Sequence, residues 1–385
     1  MGVNMKQNIV IIFGGVSCEH DISIITAYQT MMNINTELYN VFPVYICKNG
    51  VWKYIEKFNT IEGFYKLADK CREVVLLPSS KNLYLRKNKT LISLCEVDCV
   101  VNCIHGVNGE DGSIAGLLQL SSIPCMSSSI LGSIIGIDKC AFKRYLKSTD
   151  IPVIKSLEIN NFEYFSDAKK CMNLIEKEIG YPLIIKPARL GSSIGIKVCK
   201  KSHDLANFIE NALKFDKKVL IERYFERIVE YNIAVYRSVD GMRISSIESP
   251  ISSDEILSFN NKYMSSKSGG EYLMTRRKKT KLSKDLKKRI EEIAKDCYSL
   301  LECQGVVRFD FITSKEGEVY LNEVNTVPGS LANYLFSDKG FDFTLQLDEQ
   351  IKYAIHNHIM DQKLIRTFDS NVLENVNLSQ LNKYK

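Results

Sequence analysis

The stretch Val319–Ser330, VYLNEVNTVPGS, starts as a β-strand and ends as something else. Side chains on a strand alternate faces, so Val319, Leu321, Glu323 and Asn325 are expected on one face, which turns from apolar to a carboxylate and a carboxamide. The segment before it, VVRFDFIT (Val306–Thr313), also reads as a strand and reaches it through Ser-Lys-Glu-Gly, the composition of a hairpin turn. A turn centred on Glu316-Gly317 sets Asp310 opposite Glu323 and Arg308 opposite Asn325. Acids facing each other across strands repel, so the patch requires a cation between them. An all-oxygen ligand set suits Mg²⁺, which takes few carboxylates and completes its shell with water and phosphate oxygens. A solvated face of alternating charge would give the same pattern in this hairpin alone, so the rest of the chain has to decide.

At 385 residues the chain is long for a single core, and two or three domains are expected. Hydrophobic residues make up 45% and charged residues 25%, a globular balance, and no stretch reaches the apolar length of a membrane span. The first apolar run, NIVIIFGG, ends in glycines without a small-residue cleavage site, so a strand is expected there and not a signal peptide. The Gly2 pattern for myristoylation fails at Lys6. Twelve cysteines without a secretory signal point to free thiols in a reducing cytoplasm. Cys95, Cys99 and Cys103 fit neither paired zinc ligands nor the usual iron–sulfur spacing, and are expected as buried small hydrophobes. Net charge is +6, and the densest basic run, Arg276–Lys279, lacks interleaved aromatics. That run is expected as a solvated helix start or loop, with no nucleic-acid and no membrane partner.

Along the first part, NIVIIFGG, the polar stretch Ser23–Asn33, NVFPVYICK and VDCVVNCIHG alternate strand and helix signals, which implies a parallel sheet with functional loops at its strand ends. A Rossmann oxidoreductase fits poorly, because GGVSCEHD lacks GxGxxG and the second strand ends at Lys48 where an acid for ribose is wanted. Neither Gly106–Gly112 nor Gly132–Lys139 forms a Walker loop. CEHDIS (Cys18–Ser23) puts Glu19 at a helix N-terminus, and the glycines of HGVNGEDG (His105–Gly112) let backbone amides turn toward an anion. Either could also be a tight connection with a capping acid. GIDKCAFKRYLKSTDIP reads as a helix with Lys139 near its start and Pro152 beyond its end. YPLIIKPARLGSSIGIKVCKK reads as strand, glycine-rich loop, strand, with Lys186 closing the first strand and Ser192-Ser193 at the tip of a flap that can donate to phosphates. KVLIERYFE is a strand ending at Glu222, suited to accept from an adenine amino group, and Glu230 is placed to reach a ribose.

Taken in order, FGGVSCEHDIS, HGVNGEDG, GIDK, IIKPARLGSSIGI, IERYF, FNNKY, VVRFDF and NEVNTVPG resemble the D-alanine–D-alanine ligase family of the ATP-grasp superfamily, from about Asn8 to Phe343. The resemblance implies an α/β chain with an ATP-grasp fold of three α/β domains. These are an N-terminal parallel-sheet domain (1–126) for the first substrate, then central (127–218) and C-terminal (219–360) subdomains clamping ATP, then a tail (361–385). It implies ATP-dependent ligation of two D-alanines through D-alanyl phosphate, for peptidoglycan precursors, by a cytoplasmic homodimer. Carried over residue by residue, Lys139, Lys186, Ser193 and Lys262 go to the ATP phosphates, Glu222 and the Arg223–Phe225 backbone to adenine, and Glu230 to ribose. Asp310, Glu323 and Asn325 go to two Mg²⁺ ions, with Mn²⁺ as a substitute. Glu19 takes the ammonium of the first D-alanine and His105 sits beside its carboxyl group. Ser192 links Glu19 to Tyr263 of a lid spanning 252–272, which closes over the acyl phosphate. Arg308 and the Gly329 amide steady the oxyanion.

The chain departs from the family at SLANYLF (Ser330–Phe336), where members carry a serine-rich, often histidine-containing segment against the second substrate. Asn333, Tyr334 and Leu335 are therefore the expected acceptor contacts, and the acceptor stays open among D-alanine, D-serine and D-lactate. Leu190 replaces an acid and Arg223-Tyr224 replaces an acid and a tryptophan, changes expected to tune nucleotide packing. A nucleotide-binding regulator without turnover is the rival from another class. The complete set of metal ligands argues against it.

Overall fold

The computed structural model describes residues 5–56, 60–68, 70–250, 277–278 and 282–370. Its first strand, β1 (Gln7–Gly14), carries Ile9–Phe13 entirely out of solvent, as expected of an apolar run covered on both faces. Around it stand β2 (Tyr39–Ile46), β3 (Trp52–Tyr54), β4 (Arg72–Leu76), β5 (Asn82–Lys87), β6 (Thr90–Glu96), β7 (Cys99–Asn102) and β8 (Cys125–Met126). They form one sheet in the order β6-β5-β4-β3-β2-β1-β7-β8.

The sheet is mixed, which corrects the expectation of a parallel one. Only β2, β1, β7 and β8 run parallel, while β3 to β6 add on by antiparallel pairing. The physical reason is connection length: β5 and β6 are joined by Asn88-Lys89 alone, and a parallel crossover needs a dozen or more residues. A helix, His20–Asn33, follows β1 and buries Ile24 and Ala27 against the sheet. Within it the Ser23 hydroxyl accepts from the Gly14 N–H (2.8 Å) and donates to the Cys103 carbonyl (2.6 Å), tying the ends of β1 and β7 beneath the two functional loops. Cys99 and Cys103 are buried and Cys95 half-buried, and all twelve thiols are free.

A second sheet, all antiparallel, contains β9 (Ser156–Asn160), β10 (Leu183–Pro187), β11 (Lys197–Cys199) and β12 (Lys218–Arg223) in the order β11-β10-β12-β9. The expected domain boundary between 218 and 219 falls within β12, a strand that pairs on both sides within this sheet. A third sheet runs β14-β13-β17-β18, from β13 (Val229–Ser238), β14 (Gly241–Ile244), β17 (Val307–Thr313) and β18 (Val319–Asn325). The helix Lys284–Leu300 packs Ile290, Ile293, Ala294 and Cys297 against it, apolar positions three and four apart on one helical face. Ser249–Pro250 (β15) pairs with Arg277–Lys278 (β16), so those two residues of the basic run belong to a strand and not to a helix start or loop.

In the hairpin β17–β18, Asp310 lies opposite Glu323 and Arg308 opposite Asn325. The route to that register differs from the expectation. Near the turn Thr313 pairs with Val319 and Phe311 with Leu321, and Ser314 N–H bonds the Glu318 carbonyl at 2.9 Å, which centres the turn on Glu316. A bulge then leaves Asn322 between two registers and shifts the remaining pairs by one. Strict alternation along Val319–Asn325 is thereby corrected, since Leu321 and Val324 both enter the core while Asn322, Glu323 and Asn325 line the cleft. The strand's change from apolar to polar is a change of facing at the bulge, a device that re-aims side chains beside functional sites.

Candidate active site

The second and third sheets face each other across a cleft of about 360 Å³, closed at one end by the loops after β1 and β7. That volume suits a small-molecule site, typically ~300–1,000 Å³. Most of the expected site residues line it: Glu19 and His105 from the first domain, Lys139, Lys186, Ser192, Ser193, Glu222 and Phe225 from the middle, and Glu230, Arg308, Asp310, Glu323, Asn325 and Gly329 from the third sheet and its exit.

At the hairpin each acid has a protein cation against it. Arg308 grips Asp310 with two nitrogens (Nε–Oδ1 2.7 Å, Nη2–Oδ2 2.8 Å), and the Asn325 amide donates to Asp310 Oδ2 at 3.0 Å. Lys139 Nζ lies 2.8 Å from Glu323 Oε1 and donates to the Leu190 carbonyl of the flap (3.0 Å). Burial works against the charge on Lys139, but the Glu323 carboxylate outweighs it and raises the lysine above its usual range. Two carboxylates and an amide, already charge-compensated and donating oxygen only, fit a hard divalent cation whose other ligands come from phosphate and water.

A second charge cluster is buried. Glu222, 0% exposed, holds Lys143 Nζ at 2.6 Å on one oxygen and Lys186 Nζ at 2.6 Å on the other. Lys186 also reaches Asn322 Oδ1 at 3.3 Å, so the bulge residue joins the cluster. Burial would raise the Glu222 carboxyl, but the two ammonium groups prevail and hold it below the ordinary range. Each carboxylate oxygen has two acceptor directions, so engagement with a lysine leaves room for one further donor. Beyond it the Phe225 ring stacks on Tyr320 (5.8 Å, 27°) with the Arg223 guanidinium 5.4 Å from its centre.

The flap closes onto the first domain. Ser192 donates to Glu19 Oε1, and the approach is allowed by Gly191, where a Cβ would stand 3.0 Å from both Glu19 oxygens. His105 is buried, its Nε2 2.9 Å from the Thr26 hydroxyl, and burial followed by the charge of Arg308 pushes its pKa down to about 4, so the ring is neutral. Thr26 also accepts from the Ser330 N–H (3.1 Å). Ser330, Leu331 and Ala332 follow Gly329 with φ of 54°, 47° and 52°, three successive non-glycine residues in the left-handed region. Such a turn costs on the order of 1 kcal/mol or more per residue and persists only where its surroundings over-determine it. Here Thr26 holds one side and Gln346, donating to the Leu331 carbonyl at 2.8 Å, holds the other.

Not every expectation lands in the cleft. Leu335 is a core side chain and is withdrawn as an acceptor contact. Asn333 and Tyr334 do not line the cleft either, although the Tyr334 hydroxyl comes within 3.5 Å of Arg308 Nη1 and so touches the site at second hand. The cause is the left-handed turn, which carries the chain after Gly329 away from the cleft and into the helix Asn333–Phe336. Lys262 and Tyr263 lie outside the described residues. Among the described residues, Lys143, Asn322 and Glu110 were not anticipated. Lys143 could have been found four positions after Lys139, on the same helical face. Asn322 is visible only through the bulge. Glu110, inside HGVNGEDG, accepts from the N–H groups of Gly106 (2.8 Å) and Val327 (3.0 Å) and so staples the His105 loop to the end of β18. Burial and then the charge of Glu19 push Glu110 up to about 8.

Two antiparallel four-stranded sheets clamping a cleft of lysines and acids, set beside a mixed α/β sheet, define an ATP-grasp protein. Residues 8–128 match the family described as D-ala D-ala ligase N-terminus and residues 145–352 the one described as D-ala D-ala ligase C-terminus. The chain belongs to the D-alanine–D-alanine ligase family. It is 35% identical over 378 residues to the D-alanine–D-alanine ligase of Thermosipho melanesiensis, covering 95% of this chain and 98% of that one. Among solved structures it is similar to the D-alanine–D-alanine ligase from Helicobacter pylori (27% identity, TM-score 0.73, 94% of this chain and 100% of that one). It is also similar to the D-Ala:D-Ser ligase from Enterococcus faecalis (28% identity, TM-score 0.77, 91% and 100%).

Proposed function

We propose that the protein joins two D-alanines at the expense of ATP, releasing ADP and phosphate, to supply peptidoglycan precursors. The observation that carries this reading is the convergence on one cleft of Glu19 with Ser192, Lys139 with Glu323, and Arg308 with Asp310. Lys139, Lys186 and the flap at Ser193 bind the phosphates, Lys262 adds a further charge there, Glu222 and the Arg223–Phe225 backbone take adenine, and Glu230 takes ribose. Asp310, Glu323 and Asn325 would hold two Mg²⁺ ions, or Mn²⁺ in their place, which supply neutralisation of the phosphate charge when bound.

A carboxylate does not react with an amine at useful rates, so the first D-alanine is converted to its acyl phosphate before the second amine attacks. Glu19 orients that D-alanine by its ammonium. Neutral His105 lies beside the carboxyl group without adding a competing charge. The Arg308 guanidinium and the Gly329 amide donate to the oxyanion of the attack. Tyr263, latched through Ser192 and Glu19, excludes water from the acyl phosphate, so Tyr263→Phe is expected to raise the ratio of ADP to dipeptide above one. A homodimer in the cytoplasm completes the reading, and the twelve free thiols suit a reducing compartment.

D-serine is the second reading for the acceptor, favoured by the similarity to a D-Ala:D-Ser ligase. Phosphate release and dipeptide formation, measured across D-alanine, D-serine and D-lactate, test both. Release with D-alanine alone as substrate supports the first reading. A requirement for D-serine selects the second, and release with none of them overturns ligation.

A further inference from the structure

The ligation chemistry makes no use of Lys143, yet its ammonium sits 2.6 Å from Glu222 with 4% of the side chain exposed. It lies one turn beyond Lys139 on the helix Lys139–Leu146, where it is buried. Keeping a lysine ionised there is costly, since burial drives its pKa downward and the neighbouring Lys186 charge adds to that, against the opposing charge of the Glu222 carboxylate. A helix that needed only packing would carry an apolar residue at this position. Lys186, on the opposite oxygen of the same carboxylate, is the group that has to turn toward an incoming phosphate.

We propose that Lys143 is a positioning residue for the nucleotide: by holding one oxygen of Glu222 it leaves the charge of Lys186 available to the phosphates. The proposal rests on the reading of Lys186 as a phosphate ligand. With Lys143 present, two cations share one anion and the cluster carries a surplus positive charge. Without it, Glu222 and Lys186 form a closed pair, and drawing Lys186 toward phosphate would strip a buried carboxylate of its last counter-ion. Lys143 thus acts through Glu222 and not by its own field at the phosphates.

A double-mutant cycle separates those two routes. ADP affinity, measured by calorimetry in the presence of Mg²⁺, is expected to fall about tenfold in Lys143→Met and by less than about twofold when the same change is made in Glu222→Gln. In turnover, Lys143→Met should raise the KM for ATP by a similar factor and leave kcat at saturating ATP within about twofold. Equal costs in the two backgrounds would overturn the proposal, as would unchanged affinity or a loss confined to kcat. Lys186→Met distinguishes the underlying reading: if ADP affinity is unaltered there, the assignment of Lys186 to phosphate fails, whatever Lys143 does. Thermal unfolding checks each variant. Should Lys143→Met not fold, Lys143→Gln, which removes the charge and keeps a polar side chain at this position, takes its place in the cycle with the same expectations.

Discussion

At the hairpin, Glu323 is 28% and Asp310 20% exposed; on the second sheet, Glu222 is 0% exposed, although all three carboxylates are paired with lysine or arginine. Pairs that water reaches contribute little to stability and can exchange partners, whereas a buried pair cannot lose one member without leaving a charge in a low dielectric. The same chemistry therefore serves two purposes. In the proposed mechanism the acids at the hairpin change partners when ligands arrive, while Lys143 stays on Glu222 as Lys186 turns toward phosphate.

The contrast is sharpest in a pair of acid substitutions. Glu323→Gln is expected to lower dipeptide formation by about a thousandfold, roughly 4 kcal/mol in the transition state, and to leave unfolding free energy within about 1 kcal/mol. Near-normal turnover would remove Glu323 from the metal set, and a collapse of stability would make the hairpin patch structural. Glu222→Ala should do the reverse in stability, costing about 3–5 kcal/mol in denaturant unfolding because two buried ammonium groups lose their anion. A loss below about 1 kcal/mol would mean that the cluster relaxes into water and that the two regions do not differ.

The third test concerns His105, which is shielded like Glu222 but carries no charge. Its folded pKa of about 4 lies below the ordinary 6.5, so its contribution to stability is complete above pH 6.5 and is lost as pH falls toward 4. By pH 4.5 the loss should be about 2–3 kcal/mol, because the unfolded chain binds a proton that the folded one refuses. Denaturant unfolding at pH 7 and pH 4.5 measures it, and His105→Asn should flatten the dependence. An equal slope in both proteins would show that protons reach the ring.

The smallest effect concerns the acceptor. The residue proposed to face it is Tyr263, and an ordinary phenol is neutral at pH 7 and does not repel an ammonium as a protonated histidine would. D-Alanine should therefore be used over D-lactate by at least about tenfold, or ~1.4 kcal/mol, in competition at pH 6 to 9. A D-lactate preference near pH 7 would remove the lid residue from this choice.

Much of the hairpin could be read without coordinates. Turn composition and strand chemistry are local properties, and they brought Asp310 opposite Glu323 even though the bulge that completes the register was not foreseen. The ordered motifs likewise pointed to the flap, the Glu19 loop and the ATP-grasp class, because each is a short run whose residues act together. The antiparallel half of the first sheet was missed, since strand propensity does not reveal which neighbour a strand will choose.

What only the tertiary structure could decide lies in contacts between distant, individually unremarkable residues. Lys143, Lys186 and Glu222 come from a helix and two strands, and a lysine buried by its partners looks in sequence like any solvated lysine. Leu335 and its neighbours were read as acceptor contacts from their place after Pro-Gly, yet three left-handed residues carry that segment into the core. Local chemistry names the groups a site can use. Which of them reach the cleft, and which are locked beneath it, depends on burial and on backbone direction set by the packing of the whole chain.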